Sequence, residues 1–248
     1  MRALLIGLAG LAGSLFLIAA APEASKPDSR RDLQGIWEAR STASASLEAH
    51  SADAGIRAGE SVIIDPADGR IPYQLSAAAK RAENFKNRAT ADPVNKCYLP
   101  GVPRITYMPF PFQIFQTPEF VAITYEYVHA SRTIHMKNPK HLDDISFWMG
   151  DSRGHWEGDT LVVDVADNEA STWLDASGDF HSDALHVIER YTRTSPDTLR
   201  YEATIEDPKV YTKPWKIGIT LYRHTEKNAQ LYEYECHVYK ENGAGFLK

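Results

Sequence analysis

Cysteine is scarce in this sequence: only Cys97 and Cys236 occur among 248 residues. Neither has a second cysteine or a histidine at a recurring ligand spacing, which excludes the paired CxxC ligands of a structural zinc site. Basic runs are also missing, since 27 Lys and Arg are scattered among 33 Asp and Glu and the formal net charge is −6. Nucleic-acid phosphates require a basic face, so the composition predicts that the protein does not bind nucleic acid.

Several ligand-binding and catalytic motifs are absent as well. The sequence contains no HExxH, no calcium-loop spacing and no glycine-rich phosphate loop. Gly150-Asp-Ser-Arg-Gly154 has the spelling of a serine-hydrolase elbow, but it lacks the preceding apolar strand and the following helix that this mechanism requires. A metal would need three converging imidazoles or carboxylates. We therefore predict neither a metal nor a cofactor.

After residue 21 no window reaches the ~20 apolar residues of a membrane-spanning helix. Residues 1–21 have a single positive charge at Arg2, continue with a short apolar run and end in three alanines, which is typical of a signal peptide. A retained N-terminal anchor is the alternative. Residues 22–31 resemble a flexible tether, and residues 32–248 are expected to form a single domain. The prediction is a periplasmic or secreted protein without a stable membrane span.

Export also determines how the two cysteines are interpreted. The number of cysteines is even and an oxidising compartment favours disulfides. We therefore expect a disulfide between Cys97 and Cys236 that links the middle of the chain to its last strand. The sequence alone does not prove that the two are bridged.

The secondary-structure pattern is dominated by strands. One helix is predicted at residues 75–88, where helix formers precede Pro93. Aromatic and β-branched runs predict strands at 61–65, 112–115, 120–127, 132–136, 160–165, 185–194, 198–206, 216–223 and 231–239. Because the connectors are short, the strands should pair sequentially, and a sheet of this size tends to close. We therefore predict an all-β fold, an antiparallel barrel with one short helix.

The stretch from Met149 to Val165 is the most structured motif of the chain. Gly158-Asp159 supplies the residues of a tight turn before an alternating strand, which predicts a β-hairpin. The glycine, aspartate and serine residues of Gly150 to Gly154 predict bends that expose polar side chains, either for chemistry or only to bond the turn amides.

The sequence resembles two known groups of proteins. Gly35-x-Trp37 resembles the start of lipocalin-like (calycin-type) barrels, in which an arginine of a late strand covers the tryptophan; Arg223 is the corresponding candidate. The mature chain is also similar to a family of exported bacterial proteins, through Pro66-x-Asp-Gly-Arg-Ile-Pro-Tyr73, Pro100-Gly-Val-Pro-Arg104, the Gly150–Asp164 motif, His181-Ser-Asp183 and Glu206-Asp-Pro-Lys209. It further resembles lyases that remove formaldehyde from lignin-derived phenolic dimers such as phenylcoumarans.

Candidate site residues lie on strands that alternate titratable and aromatic side chains. The sequence leaves open which face of each strand is inward. We assign proton transfer to His186 or His129, oxyanion stabilisation to Arg132 or Arg190, and orientation of the imidazole ring to Asp183. The predicted substrate-binding residues are Tyr125, Tyr127, Tyr107, Trp173 and His181. For each histidine the alternative is a structural role, with its hydrogen bonds satisfied by a neighbouring strand.

Two functions follow from these residues. The first is a cofactor-independent lyase or isomerase that uses general acid and base residues in an aromatic pocket on a small phenolic or lignin-derived substrate. The second is a periplasmic binding or carrier protein for a small hydrophobic ligand, in which the same residues only shape the pocket. Pairs of buried histidine and carboxylate favour the enzyme, whereas a smooth apolar cavity favours the carrier. A homo-oligomer is possible in either case.

Overall fold

The computed structural model describes residues 30–53, 56–142 and 144–241, and most of its regular structure is β. The helices are α1 (Leu75–Ala91) and the short α2 (Cys236–Glu241). The strands are β1 (Gly35–Ala39), β2 (Ile63–Asp65), β3 (Phe112–Gln116), β4 (Phe120–Tyr125), β5 (Ser131–His135), β6 (Asp151–Glu157), β7 (Thr160–Ala166), β8 (His186–Ser195), β9 (Thr198–Glu206) and β10 (Trp215–Arg223). Neither described helix is long and apolar enough to cross a membrane.

Nine strands close into a barrel. The order is β1-β3-β4-β5-β6-β7-β8-β9-β10, and β10 pairs with β1 to complete the ring. The short β2 pairs with the first half of β10, beside the half that pairs with β1. The predicted barrel is therefore present.

The prediction of a purely antiparallel barrel is wrong, because β5 and β6 pair in parallel. Residues 136–150 connect them, and this segment is too long for a hairpin turn. It carries the chain back to the start of β5, so that both strands run in the same direction. The resulting contact is short: only Ile134 with Ser152 and His135 with Arg153 are in register.

The hairpin around Gly158-Asp159 is present as β6 and β7. Gly158 has a φ of +57°, a backbone conformation that favours glycine, and this explains the residue at the turn. The bends expected over Gly150 to Gly154 are found only at Gly150, since Asp151 already begins β6. Residues of this motif therefore point alternately inward and outward instead of lying on a loop.

Strand β8 shows which face is inward. Val187, Glu189 and Tyr191 are buried inside the barrel, whereas His186 and Arg190 belong to the outer face. Large side chains fill the interior and its closed ends, each less than 2% exposed: Trp37, Trp215, Tyr107, Tyr127, Tyr191, Tyr201 and Phe112. The interior is thus packed with the protein's own large side chains.

The contact that the Gly-x-Trp resemblance implies is present. The guanidinium of Arg223 lies over the Trp37 ring, 4.7 Å from its centroid, and donates to the Gln34 carbonyl oxygen at 2.6 Å. Gly35 has a φ of +136°, and a Cβ there would lie 3.1 Å from Cζ of Arg223. The glycine therefore leaves room for the guanidinium that covers the tryptophan.

The C-terminal segment differs from the prediction. Residues 231–239 do not form a strand, and the short α2 begins at Cys236 instead. The predicted disulfide between Cys97 and Cys236 is confirmed, with Cα atoms 5.5 Å apart. It therefore fastens α2 to the turn after α1, and not one strand to another.

The predicted signal peptide, residues 1–21, lies outside the described residues, as does most of the predicted tether. The described end of the tether contacts the barrel. Arg31 lies over the Trp156 ring at 5.5 Å, and its carbonyl oxygen accepts a hydrogen bond from Gln116 at 2.9 Å.

Candidate functional site

Arg132 lies inside the barrel and forms an ion pair with Glu189. Its Nε also donates to the Ser152 hydroxyl at 2.8 Å. The second carboxylate oxygen of Glu189 accepts from Tyr201 at 2.7 Å and from Tyr191 at 3.1 Å. Four strands thus contribute to one buried polar cluster, which is closed to solvent.

Tyr125 lies next to this cluster on β4 and is 3% exposed. Burial raises its pKa to about 12, although the nearby Arg132 acts in the opposite direction. Burial and the neighbouring Glu189 carboxylate likewise raise the pKa of Tyr191 and Tyr201 well above the usual value. These phenols are therefore neutral at every physiological pH, and Tyr191 and Tyr201 donate to Glu189.

The other predicted substrate-binding residues are also in the core. Tyr127 donates to the Tyr98 carbonyl oxygen at 3.0 Å, and Tyr107 donates to that of Leu174 at 2.7 Å. Trp173 is 7% exposed. His181 contacts the Thr172 hydroxyl and the Ser182 carbonyl oxygen, and burial lowers its pKa. These side chains are buried and make their polar contacts with the protein itself.

Three predicted catalytic residues lie on the surface and apart from one another. His129 occupies a turn at a φ of +53° and contacts Glu235 at 2.7 Å, because the alternation of β4 ends at Tyr125. Arg190 donates to Glu157 at 2.8 Å, and Asp183 accepts from Lys209 at 2.6 Å. The structure does not bring these residues together with Arg132.

His186 belongs to an extended chain of imidazoles and carboxylates on the outer face of β6 to β9, which we call the histidine–carboxylate chain. Its Nε2 is 2.8 Å from Oδ1 of Asp164, and its Nδ1 is 3.6 Å from Glu206. The same Asp164 oxygen is 3.0 Å from Nε2 of His141, whose Nδ1 is 3.0 Å from Asp151. Two histidines therefore alternate with three carboxylates.

The hydrogen bonds of His186 indicate which of its two nitrogens carries the proton. A carboxylate oxygen only accepts, so Nε2 of His186 donates to Asp164 and its Nδ1 is left with a free lone pair when the ring is neutral. Protonation of Nδ1 would place the new charge between Asp164 and Glu206. His186 is 37% exposed, so a small molecule from solvent can reach it. This is the geometry of a general base oriented by a carboxylate.

The histidine–carboxylate chain ends at Asp151, which Arg153 binds through two hydrogen bonds. Two nitrogens of Arg153 donate to Oδ2 of Asp151, at 2.7 and 2.9 Å, and hydrogen bonds from Arg153 and His141 outweigh the effect of partial burial and lower the pKa of Asp151. Ligand atoms of His141, Asp151 and Asp167 also lie within 4.8 Å of one another, a distance suitable for a metal ion. Here the guanidinium already supplies the positive charge beside Asp151.

A second cluster of titratable groups lies beside α1. Asp175 and Asp179 are fully buried, and the Ser177 hydroxyl is 2.9 Å from one and 3.1 Å from the other. Arg81 and Tyr73 both donate to Asp179 at 3.0 Å. Burial and the adjacent Asp179 raise the pKa of Asp175 well above its usual value.

Replacing Asp179 by asparagine should remove one source of pH dependence in stability. A carboxyl whose pKa is raised by folding stabilises the fold at low pH, and this contribution is lost as the pH rises through the folded-state pKa. The amide carries no charge and can donate to Ser177, so the pKa of Asp175 should fall toward its usual value. We expect the free energy of unfolding to decline less steeply above about pH 4 in Asp179→Asn than in the wild type.

Urea unfolding at a series of pH values measures this difference. Asp197→Asn, an exposed turn substitution, is the matched control and should keep the wild-type slope. Equal slopes in Asp179→Asn and the wild type would contradict the prediction.

Sequence patterns identified His186 but not its partners. His141 and Asp164 are 45 and 22 residues away from it, and only the pairing of β7 with β8 brings Asp164 to His186. A bulge between Arg193 and Ser195 also shifts the β8–β9 register by one residue, which places Glu206 opposite His186. No local motif signals this arrangement.

Comparison with known proteins adds no assignment: no protein-family model matches the chain, and no curated protein matches it significantly.

Proposed function

We propose that the protein is a cofactor-independent lyase in which His186 acts as the general base. The histidine–carboxylate chain supports this proposal, because Asp164 orients the ring of His186 and Glu206 lies beside its second nitrogen. The proposed substrate class, a small phenolic dimer of lignin type, rests on the sequence resemblance. We also propose export to the periplasm or beyond, which the Cys97–Cys236 bridge suits.

The chemistry needs no oxidant, reductant or metal. His186 Nδ1 accepts the proton of a primary hydroxyl, and the C–C bond to that carbon breaks with release of formaldehyde. The electron pair forms a C=C bond as the aryl ether oxygen on the next carbon leaves. The imidazolium, held between Asp164 and Glu206, then returns its proton to the phenolate. One substrate thus gives one formaldehyde and one phenolic alkene.

Arg190 is too distant to take part in this step. It lies four residues after His186 on the same strand, which corresponds to about 13 Å at the usual rise of a strand. Asp183 forms an ion pair with Lys209 and does not belong to the histidine–carboxylate chain. In this proposal the orienting carboxylate is therefore Asp164, in place of Asp183.

The test is the substitution His186→Gln, with formaldehyde release from a phenylcoumaran-type dimer as the assay. Glutamine keeps a hydrogen bond to Asp164 but cannot take up a proton. We expect turnover to fall by roughly 10²–10⁴-fold while substrate affinity changes little. Asp164→Asn should also lower turnover, because a neutral amide can still accept from Nε2 but does not stabilise the positive charge that forms on the ring.

His155→Gln is the matched control, since His155 is another exposed strand histidine with a carboxylate neighbour, Glu157 at 3.2 Å. It lies outside the chain and should retain full turnover. Unchanged turnover in a folded His186→Gln variant would refute the role of His186.

A carrier function is the second candidate, and a groove beside the barrel favours it. The groove has a volume of about 780 Å³ and lies between α1 and two neighbouring parts of the chain, residues 45–53 and Ile56. A ligand that binds the wild-type protein and is recovered unchanged after incubation would favour the carrier over the lyase.

A further inference from the structure

A smaller pocket adjoins this groove and is mainly apolar. It has a volume of about 240 Å³, and its walls include Ile56, Val94, Met108 and Pro109. Ala45 and Ala176 line both the pocket and the wider groove, so the two are continuous. Because drug-sized ligands occupy about 300–1,000 Å³, this pocket suits a body of one ring.

The pocket also has a cation that none of the described residues neutralises. Arg57 lines the pocket, is exposed, and has no hydrogen bond or ion pair with any described residue. Arg104 is different: it is 3% exposed and forms a two-fold ion pair with Asp92, at 2.7 and 2.8 Å. The pair is neutral as a unit, so Arg57 supplies the free positive charge.

Arg104 adds a second polar feature. It lines the same pocket, and its Nε has no acceptor among the described residues although the atom is buried. Buried donors normally have a partner, because leaving one unpaired is costly. An acceptor brought by a ligand would satisfy this N–H.

We propose that this pocket binds a small carboxylate with an apolar, ring-sized body. The body packs against Ile56, Val94 and Met108, whose thioether suits an aromatic face. The carboxylate pairs with Arg57 at the mouth. The site shares no residue with the histidine–carboxylate chain, so the proposal does not depend on the lyase activity.

The charge on the ligand distinguishes this proposal from simple apolar binding. Calorimetric titration of the intact protein with benzoate should give saturable binding that weakens as salt is added. Benzamide has the same shape without the charge, and acetate has the charge without the ring. We expect both to bind at least fivefold more weakly than benzoate. This factor corresponds to the loss of one exposed charge interaction for benzamide, or of the apolar contact with the pocket wall for acetate.

Two variants locate the site. Arg57→Gln should weaken benzoate binding about fivefold and leave benzamide unchanged, whereas Arg70→Gln, another exposed arginine without an ion pair among the described residues, should change neither. Ala45→Leu fills the pocket and should abolish binding of both rings while circular dichroism reports an unchanged fold.

Three results would overturn the proposal: no saturable benzoate binding, equal affinity for benzoate and benzamide, or equal behaviour of Arg57→Gln and Arg70→Gln. Loss of turnover in His186→Gln bears only on the lyase, so failure of one proposal is distinguishable from failure of the other.

Discussion

Replacing Arg132 by methionine should lower the free energy of unfolding by about 3–5 kcal/mol. The substitution keeps much of the side-chain volume but leaves the carboxylate of Glu189 buried without a cation. Glu189 is completely buried, and its remaining hydrogen bonds come from the neutral phenols of Tyr191 and Tyr201. Two neutral donors do not replace the guanidinium, because an uncompensated buried charge is far more costly than a lost hydrogen bond.

Urea denaturation of the wild type and variants measures this loss. The double variant Arg132→Met/Glu189→Gln should be more stable than Arg132→Met alone, since the neutral amide can still accept from both tyrosines and no charge is stranded. Arg200→Met is the control: Arg200 is also a strand arginine, but its ion pair with Glu202 is 38% exposed on both sides, and we expect a loss below about 1 kcal/mol.

A double variant less stable than Arg132→Met would contradict the argument, because the cost would then come from lost packing and not from the isolated charge. In the folded barrel, Arg132 is closed off from solvent with a partner of its own.

The local parts of the fold were predictable because short-range chemistry decides them. The turn at Gly158 requires a positive φ, and glycine followed by aspartate in front of an alternating strand is sufficient to predict a hairpin. The helix formers after Leu75 predicted α1 to within three residues of its end. The bridge between Cys97 and Cys236 followed from counting two cysteines in a chain that the sequence predicts to be exported.

Elements that depend on distant partners were not predictable in the same way. Parallel pairing of β5 with β6 is decided by where residues 136–150 pack, and no residue within either strand signals it. Residues 231–239 alternate like a strand, but the tyrosine at position 234 packs on Tyr127 and Phe110, and the disulfide holds Cys236 in a helical turn. Tertiary contacts there override a weak β pattern.

The candidate site also combines features that the local sequence predicts with features that depend on distant strands. Alternation placed His186 and Arg190 on one face of β8 and Glu189 on the other, but it could not decide which face is inward. The inward residue is charged, because Arg132 of β5, Tyr201 of β9 and Tyr191 of β8 itself satisfy the Glu189 carboxylate. In an alternating strand, a glutamate is normally assigned to the solvent-exposed face. Only the complete barrel shows that the charge of Glu189 is compensated inside.

Replacing both cysteines, in the variant Cys97→Ala/Cys236→Ala, should lower the free energy of unfolding by about 2–5 kcal/mol. The bridge closes a loop with a sequence separation of 139 residues. In the chain-entropy account, closing a loop of this length raises the free energy of the unfolded state by about 5 kcal/mol, which is the upper end of the expected range. The urea midpoint should therefore fall.

The size of this effect depends on whether the C-terminal segment stays attached when the bridge is removed. Tyr234 packs on Phe110 with ring centroids 4.5 Å apart, and the backbone N–H of Tyr232 donates to Glu126 at 2.8 Å, so the segment keeps contacts with the barrel. Attached in this way, it unfolds together with the barrel, and the entropic effect of the bridge appears in the global transition. Tyr234→Ala, which removes the ring contact and keeps the disulfide, should cost less than the double cysteine variant. An unchanged urea midpoint in Cys97→Ala/Cys236→Ala would show instead that α2 detaches before the barrel unfolds, and that the bridge fastens a local segment without stabilising the whole domain.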